Sequence, residues 1–600
     1  MAREFQHISR SQFVLTYGPG SLIETKKGPR IIPSLGKGLG ENFNLDTFRR
    51  FEISETRISK YIKSKSEEKK NIRIVALPTN AGLGKQSNYR IYSTYVFPVW
   101  KVCYGRRGNH APILYNGSQC PLCETNDESS AVRFVAACPD GHLDEVNWNY
   151  AVHKNFSCKP DYFHWKASGS SLEDIVIECP LCRARNNMKE IYKMSFFCTG
   201  RIPERESPSV DYFPIYTRPD RPKNCEKLMK IMQRQSTSLR VPETMTLLTI
   251  PEFDNHISRI LQRYDVSIAL DTIMKIMPSN FLHEMNPATF VELISGPLKG
   301  RIPDDSLEVI STEIREKGIP EFCDLYKRLN EENKSFMSLM YEEFDSLLSG
   351  AGNPTKNFVM GHPKKIISTS SLIPELLVHP ISKIRTITVQ LGYKRIVPTA
   401  EENELKSVFS GVYLPADGSI WYPGYEGFGE GVFITFAERK VPDLTSKPAY
   451  RLWKEYAASG LKSDSEWSEV SVEPEFVWLH TLSHAIIRAL SLHTGYSAVS
   501  LRERVYISRD GKNGGILIYN TSPGEDGGMG GLVGSVDIFH EIINSAVGNI
   551  LLCSNDPLCC DLTKSAESVN GAACYSCLLI SETSCEHRNL WLDRHLLIGD

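Results

Sequence analysis

Cysteine spacing is where this chain concentrates its chemistry. Nine cysteines lie between Cys103 and Cys225, six between Cys553 and Cys585, and Cys323 stands by itself. Three pairs have the C-x-x-C spacing: Cys120/Cys123, Cys179/Cys182 and Cys574/Cys577. Two thiolates three residues apart on a tight turn both reach one tetrahedral Zn²⁺, with Zn–S bonds of about 2.3 Å. A third and fourth ligand arriving from elsewhere close the site. The pattern predicts structural metal knuckles, which present a surface and do no chemistry.

In the first block, Cys179, Cys182, Cys198 and Cys225 are expected to make one closed Cys₄ site. Cys103, Cys120 and Cys123 are three-quarters of another. Its fourth ligand is open among Cys138, His110 and His142. Cys158 is left over and reads as a small buried hydrophobe. In the second block Cys574, Cys577 and Cys585 are the firmest ligands, with Cys559 or the alternate Cys553 completing the shell. Four thiolates leave no open position, so such a metal cannot activate water. Two to three structural zincs per chain are expected.

Other chemistries fail at named residues. A P-loop needs G-x-x-x-x-G-K-[ST], because the last hydroxyl binds Mg²⁺. Gly82-Leu83-Gly84-Lys85-Gln86 lacks the first glycine and that hydroxyl. His480 and His484 have the one-turn spacing of zinc proteases, but Thr481 stands where the glutamate base belongs. Packing and hydrogen bonding on a partly buried helix face is the expectation for both. A zinc deaminase needs H-x-E and P-C-x-x-C, whereas His142-Leu143-Asp144 offers the wrong acid and Cys179-Pro180-Leu181-Cys182 holds its proline inside the pair. His362-Pro363-Lys364 ends at Thr369, where a phospholipase-D-type nuclease needs aspartate. No G-x-S-x-G elbow occurs. The expectation is a non-enzyme. The alternative is a nucleic-acid-processing enzyme whose groups would be Glu503, Asp526, His480 and His484, near the glycine-rich turn 524–534. A zinc-dependent transcription factor is weaker still, for want of a helix-turn-helix or finger-type spacing.

The elements that must position these groups follow from composition and periodicity. At 600 residues, 41% hydrophobic and 23% charged, the chain has material for several cored domains. Its net charge of −2 requires any nucleic-acid contact to rest on local basic patches. Candidates are Arg57, Lys60 and Lys63 in the charged stretch from Thr56 to Arg73, then Arg106, Arg107, Arg502 and Arg504. The N-terminus shows no apolar leader, and no run of about 18 apolar residues spans a membrane. Abundant cysteines without a leader predict a reducing, cytoplasmic setting. The expected class is α+β and multidomain: 1–100 mixed β, 101–235 cysteine-rich and zinc-binding, 236–410 mainly helical, and 411–600 an α/β zinc-binding domain. Pro474 suits a first helical turn, and Phe476, Leu479, Leu482, Ile486 and Leu490 recur at helical spacing. Gly515 to Tyr519 reads as a buried strand.

Four segments carry a family resemblance. They are Arg10-Ser11-Gln12 through Tyr17-Gly18-Pro19-Gly20-Ser21-Leu22, and Arg133 through Cys138-Pro139-Asp140-Gly141-His142-Leu143-Asp144. The others are His480 to Ala485 leading to Gly495-Tyr496-Ser497-Ala498 and Leu501 to Arg504, and Asn570 to Cys577 continuing through Cys585-Glu586-His587-Arg588-Asn589. Together they resemble the DrmB family, the zinc-domain subunits of the DISARM antiphage system. The C-terminal third also resembles the MrfA-type zinc-binding domain of certain helicases. Where the family's first site begins with its own C-x-x-C, Cys103 is followed three positions later by Arg106. The resemblance implies a non-catalytic partner of a separate helicase-like ATPase, DrmA. It further implies that the pair engages phage DNA with a single-stranded end, beside a methyltransferase that marks host DNA.

Overall fold

The computed structural model describes all residues except 1–5, 67–69, 106–107, 128–129, 155–157, 207–224, 252–255, 277–284, 300–301, 332–333, 351–353, 398–404, 460–469, 471, 524–529, 566–567 and 599–600. The chain mixes sheets and helices, with cysteine-rich clusters in its N-terminal half and near its C-terminus and a helical stretch between them.

One large sheet organises the molecule. Among the described residues it has eleven strands, of which six matter here: β1 (Ile72–Ala76), β2 (Val241–Leu248), β3 (Leu376–Lys394), β4 (Ser419–Phe436), β5 (Arg502–Ile507) and β6 (Gly514–Pro523), with β2-β3-β4-β6-β5 as the main path. All these neighbours pair antiparallel, while β1 lies parallel to the start of β4, with Tyr422 opposite Ile74. Strands β3 and β4 are long and almost continuously buried, and their polar residues Thr386, Thr388, Gln390 and Glu430 are buried with the apolar ones, so polarity along them does not mark a solvent face. The glycines of β4 allow close approach: a Cβ on Gly429 would lie 1.7 Å from the Asn520 carbonyl oxygen of β6. The sheet draws strands from three of the four segments expected from sequence. Residues 241–248 and 376–394 are strands, which narrows the helical stretch to 256–349.

Four helices matter for the sites: α1 (Thr56–Lys65), α2 (Phe336–Ser349), α3 (Pro474–Thr494) and α4 (Phe539–Leu551). Ser335 caps α2 through a reciprocal bond with Ser338. Helix α3 begins with Pro474, where the missing N–H has no helical partner to lose. It ends at Gly495, whose φ of 73° terminates it without steric cost. Between these ends α3 is buried nearly all round, packed against β5, β6, α4 and the C-terminal loops. A helix buried on every face cannot announce itself by amphipathic patterning. The same apolar core runs from Ile53 to Leu597.

The first cysteine block has its own core. A five-stranded sheet ordered Arg185–Asn187, Ile175–Glu178, Tyr162–Ala167, Ile113–Asn116, Trp100–Cys103 accompanies a four-stranded one ordered Ser195–Phe197, Leu228–Gln233, Phe134–Ala137, Leu143–Glu145. Between them Trp100, Trp148, Phe163 and Trp165 are buried. Both sheets are antiparallel hairpin assemblies, so their turns gather at sheet ends. Most of the cysteines sit at those turns.

Candidate metal centres

The sequence Cys-Pro-Leu-Cys occurs twice, at 120–123 and 179–182, and folds identically both times. In the first, the Glu124 amide donates to the Cys120 carbonyl at 2.9 Å and the Cys120 amide to the Thr125 carbonyl at 2.9 Å. In the second, the Arg183 amide donates to the Cys179 carbonyl at 3.1 Å and the Cys179 amide to the Ala184 carbonyl at 2.8 Å. Glu124 and Arg183 take up left-handed φ values of 57° and 63°. Such a turn aims both thiol sulfurs at one point.

Cysteine sulfurs and imidazole nitrogens gather into four clusters, each with its ligand atoms within 4.8 Å of one another. Cys103, His110, Cys120 and Cys123 form the first. Cys138, His142, Cys198 and Cys225 form the second. The third is His153, Cys158, Cys179 and Cys182, and the fourth is Cys553, Cys559, Cys574 and Cys577. Two thiolates on one tetrahedral zinc stand about 3.8 Å apart. The sulfurs here are 3.6 Å apart for Cys103/Cys123, 3.5 Å for Cys138/Cys198, 3.6 Å for Cys158/Cys179 and 3.7 Å for Cys574/Cys577. All sixteen cysteines are free thiols. These separations are far beyond a disulfide bond and fit a shared ion.

Hydrogen bonds prepare the ligands. The amides of Gly200, Asn555 and Cys574 donate to the sulfurs of Cys198, Cys553 and Cys577 at 3.3, 3.4 and 3.4 Å. Donation of this kind favours the thiolate. His153 Nδ1 bonds the Asn149 carbonyl at 2.9 Å, while its buried Nε2 has no partner among the described residues. That orphaned lone pair faces the third cluster, the arrangement expected of a metal-binding imidazole. The donor sets suit zinc held in closed shells.

The geometry regroups several expectations. Cys179 and Cys182 do not share a cluster with Cys198 and Cys225. The two pairs end different sheets, and each completes its shell with a histidine and another cysteine. Cys158 is a member of the third cluster, 3.6 Å from Cys179, and is only half-buried. His110 joins the first cluster, whereas Cys138 and His142 belong to the second. Near the C-terminus both Cys553 and Cys559 stand with the C-x-x-C pair, and Cys585 does not. Cys560 lies outside it, 3.8 Å from His595 Nε2. The number of clusters exceeds the two to three expected zincs.

Cys585 instead lies in a fifth, fully buried group with His480, His484 and Glu503. Helix α3 supplies both imidazoles from successive turns, β5 supplies the carboxylate, and the final loops supply the thiol. Glu503 Oε1 is 2.8 Å from His480 Nε2 and 3.2 Å from His484 Nε2. Asp526, the remaining residue of the expected enzymatic set, lies outside the described residues.

Burial also corrects the basic candidates. Arg57 is fully buried and bonds Glu55 and the Leu248 carbonyl. Arg504 is fully buried between Glu343 and Glu586. Burial alone would depress the Arg504 pKa, and the carboxylates of Glu343 and Glu586 reverse this and hold it well above its ordinary value. Neither side chain can reach a phosphate. Lys60 is half-buried with its ammonium on the Leu329 carbonyl. Lys63 and Arg502 are partly exposed, and Arg106 and Arg107 lie outside the described residues. Among the described residues no helix is long and apolar enough to cross a membrane.

Residues 9–241 match a domain of unknown function, DUF8724, and residues 482–578 match the MrfA Zn-binding domain. The latter segment contains α3 from its third turn and all four cysteines of the fourth cluster. A crystal structure of the DUF1998 helicase MrfA bound to DNA aligns with 34% of this chain and 22% of its own, at 11% identity and a TM-score of 0.19. DISARM protein DrmB of Bacillus paralicheniformis is 27% identical over 539 residues, covering 84% of this chain and 88% of that protein. The chain is thus similar to DrmB along most of both lengths, and carries an MrfA Zn-binding domain near its C-terminus.

Proposed function

We propose that this chain is a zinc-stapled, non-catalytic subunit of a DISARM-type antiphage assembly. In this reading it binds invading DNA together with a separate helicase-like ATPase of the DrmA kind. The observation that supports it is the set of four cysteine-rich clusters, each with four donors placed to close a shell around one ion, in a chain similar to DrmB over most of its length. Closed shells cannot polarise a substrate or activate water. They fix turns and sheet ends, and so hold a binding surface rigid. Arg502 and Lys63 are the basic side chains that would contact phosphates. The three remaining candidates of the enzymatic reading, His480, His484 and Glu503, have no exposed side-chain surface, which favours the scaffold.

The test is affinity capture of the tagged chain expressed from its native operon. The reading expects a co-purifying ATPase and DNA binding by the pair that weakens steeply with salt. Capture of the chain alone, with DNA cleavage that one substitution within it abolishes, would refute the reading.

A further inference from the structure

The fifth group, His480, His484, Glu503 and Cys585, differs from the four cysteine-rich clusters in composition and position. Its hydrogen-bond inventory does not close without a cation. His480 Nδ1 faces the Trp591 carbonyl at 3.3 Å, and His484 Nδ1 faces the Leu578 carbonyl at 3.0 Å. A carbonyl only accepts, so each Nδ1 carries a hydrogen. In a neutral ring that leaves Nε2 as a bare lone pair. Yet both Nε2 atoms point at one carboxylate oxygen, Glu503 Oε1, and His480 Nε2 also lies 3.2 Å from Cys585 Sγ. Four electron-pair donors therefore converge on one point, and the single hydrogen of a Cys585 thiol cannot satisfy both Nε2 atoms against Glu503 Oε1. Two imidazolium cations side by side would relieve this, but they would have to be buried together, with the rings 4.7 Å apart, at high desolvation cost. A single metal ion relieves it at once.

The surroundings are those of a built ligand shell. The Ser483 hydroxyl lies within hydrogen-bond reach of both Glu503 Oε2 and the His480 carbonyl, and among the described residues no such partner takes Oε1, which faces the imidazoles. The Asn589 amide donates to Cys585 Sγ at 3.2 Å, as the amides of Gly200 and Asn555 do for their sulfurs. Arg588 and Asn589, just beyond Cys585, take left-handed φ values of 53° and 62°, a tight turn like those after the other knuckles. Charge matches burial too. Two neutral imidazoles, one carboxylate and one thiolate neutralise a divalent ion, as a site without solvent contact requires. A four-thiolate shell would leave two negative charges.

We propose that His480 Nε2, His484 Nε2, Glu503 Oε1 and Cys585 Sγ hold a fifth, structural zinc ion. The mixed nitrogen, oxygen and sulfur donors suit zinc, and four protein ligands close the shell. This ion riveted between α3, β5 and the last loops would lock the helix under the neighbouring four-cysteine cluster. Arg488, one turn beyond His484, already reaches the carbonyls of Tyr575, Ser576 and Leu579 around that cluster.

The experiment is a crystal of the full-length chain, purified without chelator, with anomalous maps above and below the zinc edge. The site predicts a fifth peak within about 2.3 Å of all four ligand atoms, alongside the four at the cysteine-rich clusters. Peaks at those four and none here would overturn it. Zinc counting on Glu503→Gln and His484→Gln should show the loss of one zinc per chain with the other four retained. An unchanged count in folded variants would also overturn it. If the variants do not fold, the anomalous map of the unaltered chain decides.

Discussion

Arg504 Nη1 of β5 lies 2.8 Å from Glu343 Oε2 of α2, with both side chains fully buried. This pair ties the helical stretch to the strand that also carries Glu503. Glu586 Oε1 and the Thr246 carbonyl accept from Nη2 at 2.7 Å each, Glu586 Oε2 accepts from Nε at 3.2 Å, and the Tyr506 hydroxyl donates to the same Glu343 oxygen at 2.9 Å. Segments 82, 161 and 258 residues away from Arg504 in sequence thus meet on one cation.

Removing either partner strands a buried charge. Glu343→Gln or Arg504→Met is expected to destabilise the chain by about 3–5 kcal/mol, read as a shift in the denaturant midpoint. Arg504→Met with a loss below about 1 kcal/mol, together with a weaker salt dependence of DNA binding, would restore Arg504 as a phosphate contact.

The third cluster includes an imidazole that no cysteine motif announces. His153→Ala should remove one zinc per chain, counted by native mass spectrometry. It should also loosen the sheet holding Ile175–Glu178, because zinc-binding free energy is folding free energy in such segments. An unchanged count would exclude His153 as a ligand.

Chelation should proceed in steps. Cys182 is exposed, whereas Cys553, Cys559 and Cys577 are buried, so the third cluster is expected to surrender its metal before the fourth. Zinc release followed with a chromogenic chelator should therefore be multiphasic. Release in one phase would contradict this order.

Gly429 has no room for a side chain, since an added Cβ would stand 1.7 Å from a backbone oxygen of the paired strand. Gly429→Ala should separate β4 from β6 locally and cost about 1–3 kcal/mol or more. A melting temperature equal to that of the unaltered chain would show that the strands approach less closely.

For DNA, Arg502→Ala and Lys63→Ala should each reduce the salt slope of binding by about one, the signature of a lost phosphate contact. Intact slopes in both variants would move the interface elsewhere on the chain.

The metal-binding character and the mixed α+β class were legible because a C-x-x-C knuckle is a local structure. Three residues of spacing suffice to aim two sulfurs. The shells were not legible, because their other ligands come from sheet ends whose pairing is long-range. His153 ends a short helix, and nothing local connects it to Cys179. Cys585 sits within reach of Cys577 in sequence but faces α3 instead, held there by Asn589 and the left-handed turn. Two of the basic candidates, Arg57 and Arg504, are buried for a related reason. Arg502 and Arg504 look alike in sequence, yet β5 is covered on both faces, so its alternation does not separate solvent from core. Arg57 lies on the buried side of α1, where Glu55 and a backbone carbonyl replace the solvent.

Zinc ions closed off by protein ligands, and sulfur-rich on average, would staple this chain. X-ray absorption at the zinc edge of the purified full-length chain tests this most directly. Four-coordinate shells with close to three sulfurs for every zinc, unchanged on adding small anions, are the predicted result. Oxygen-rich or five-coordinate shells, with a position that exchanges with solvent, would contradict it.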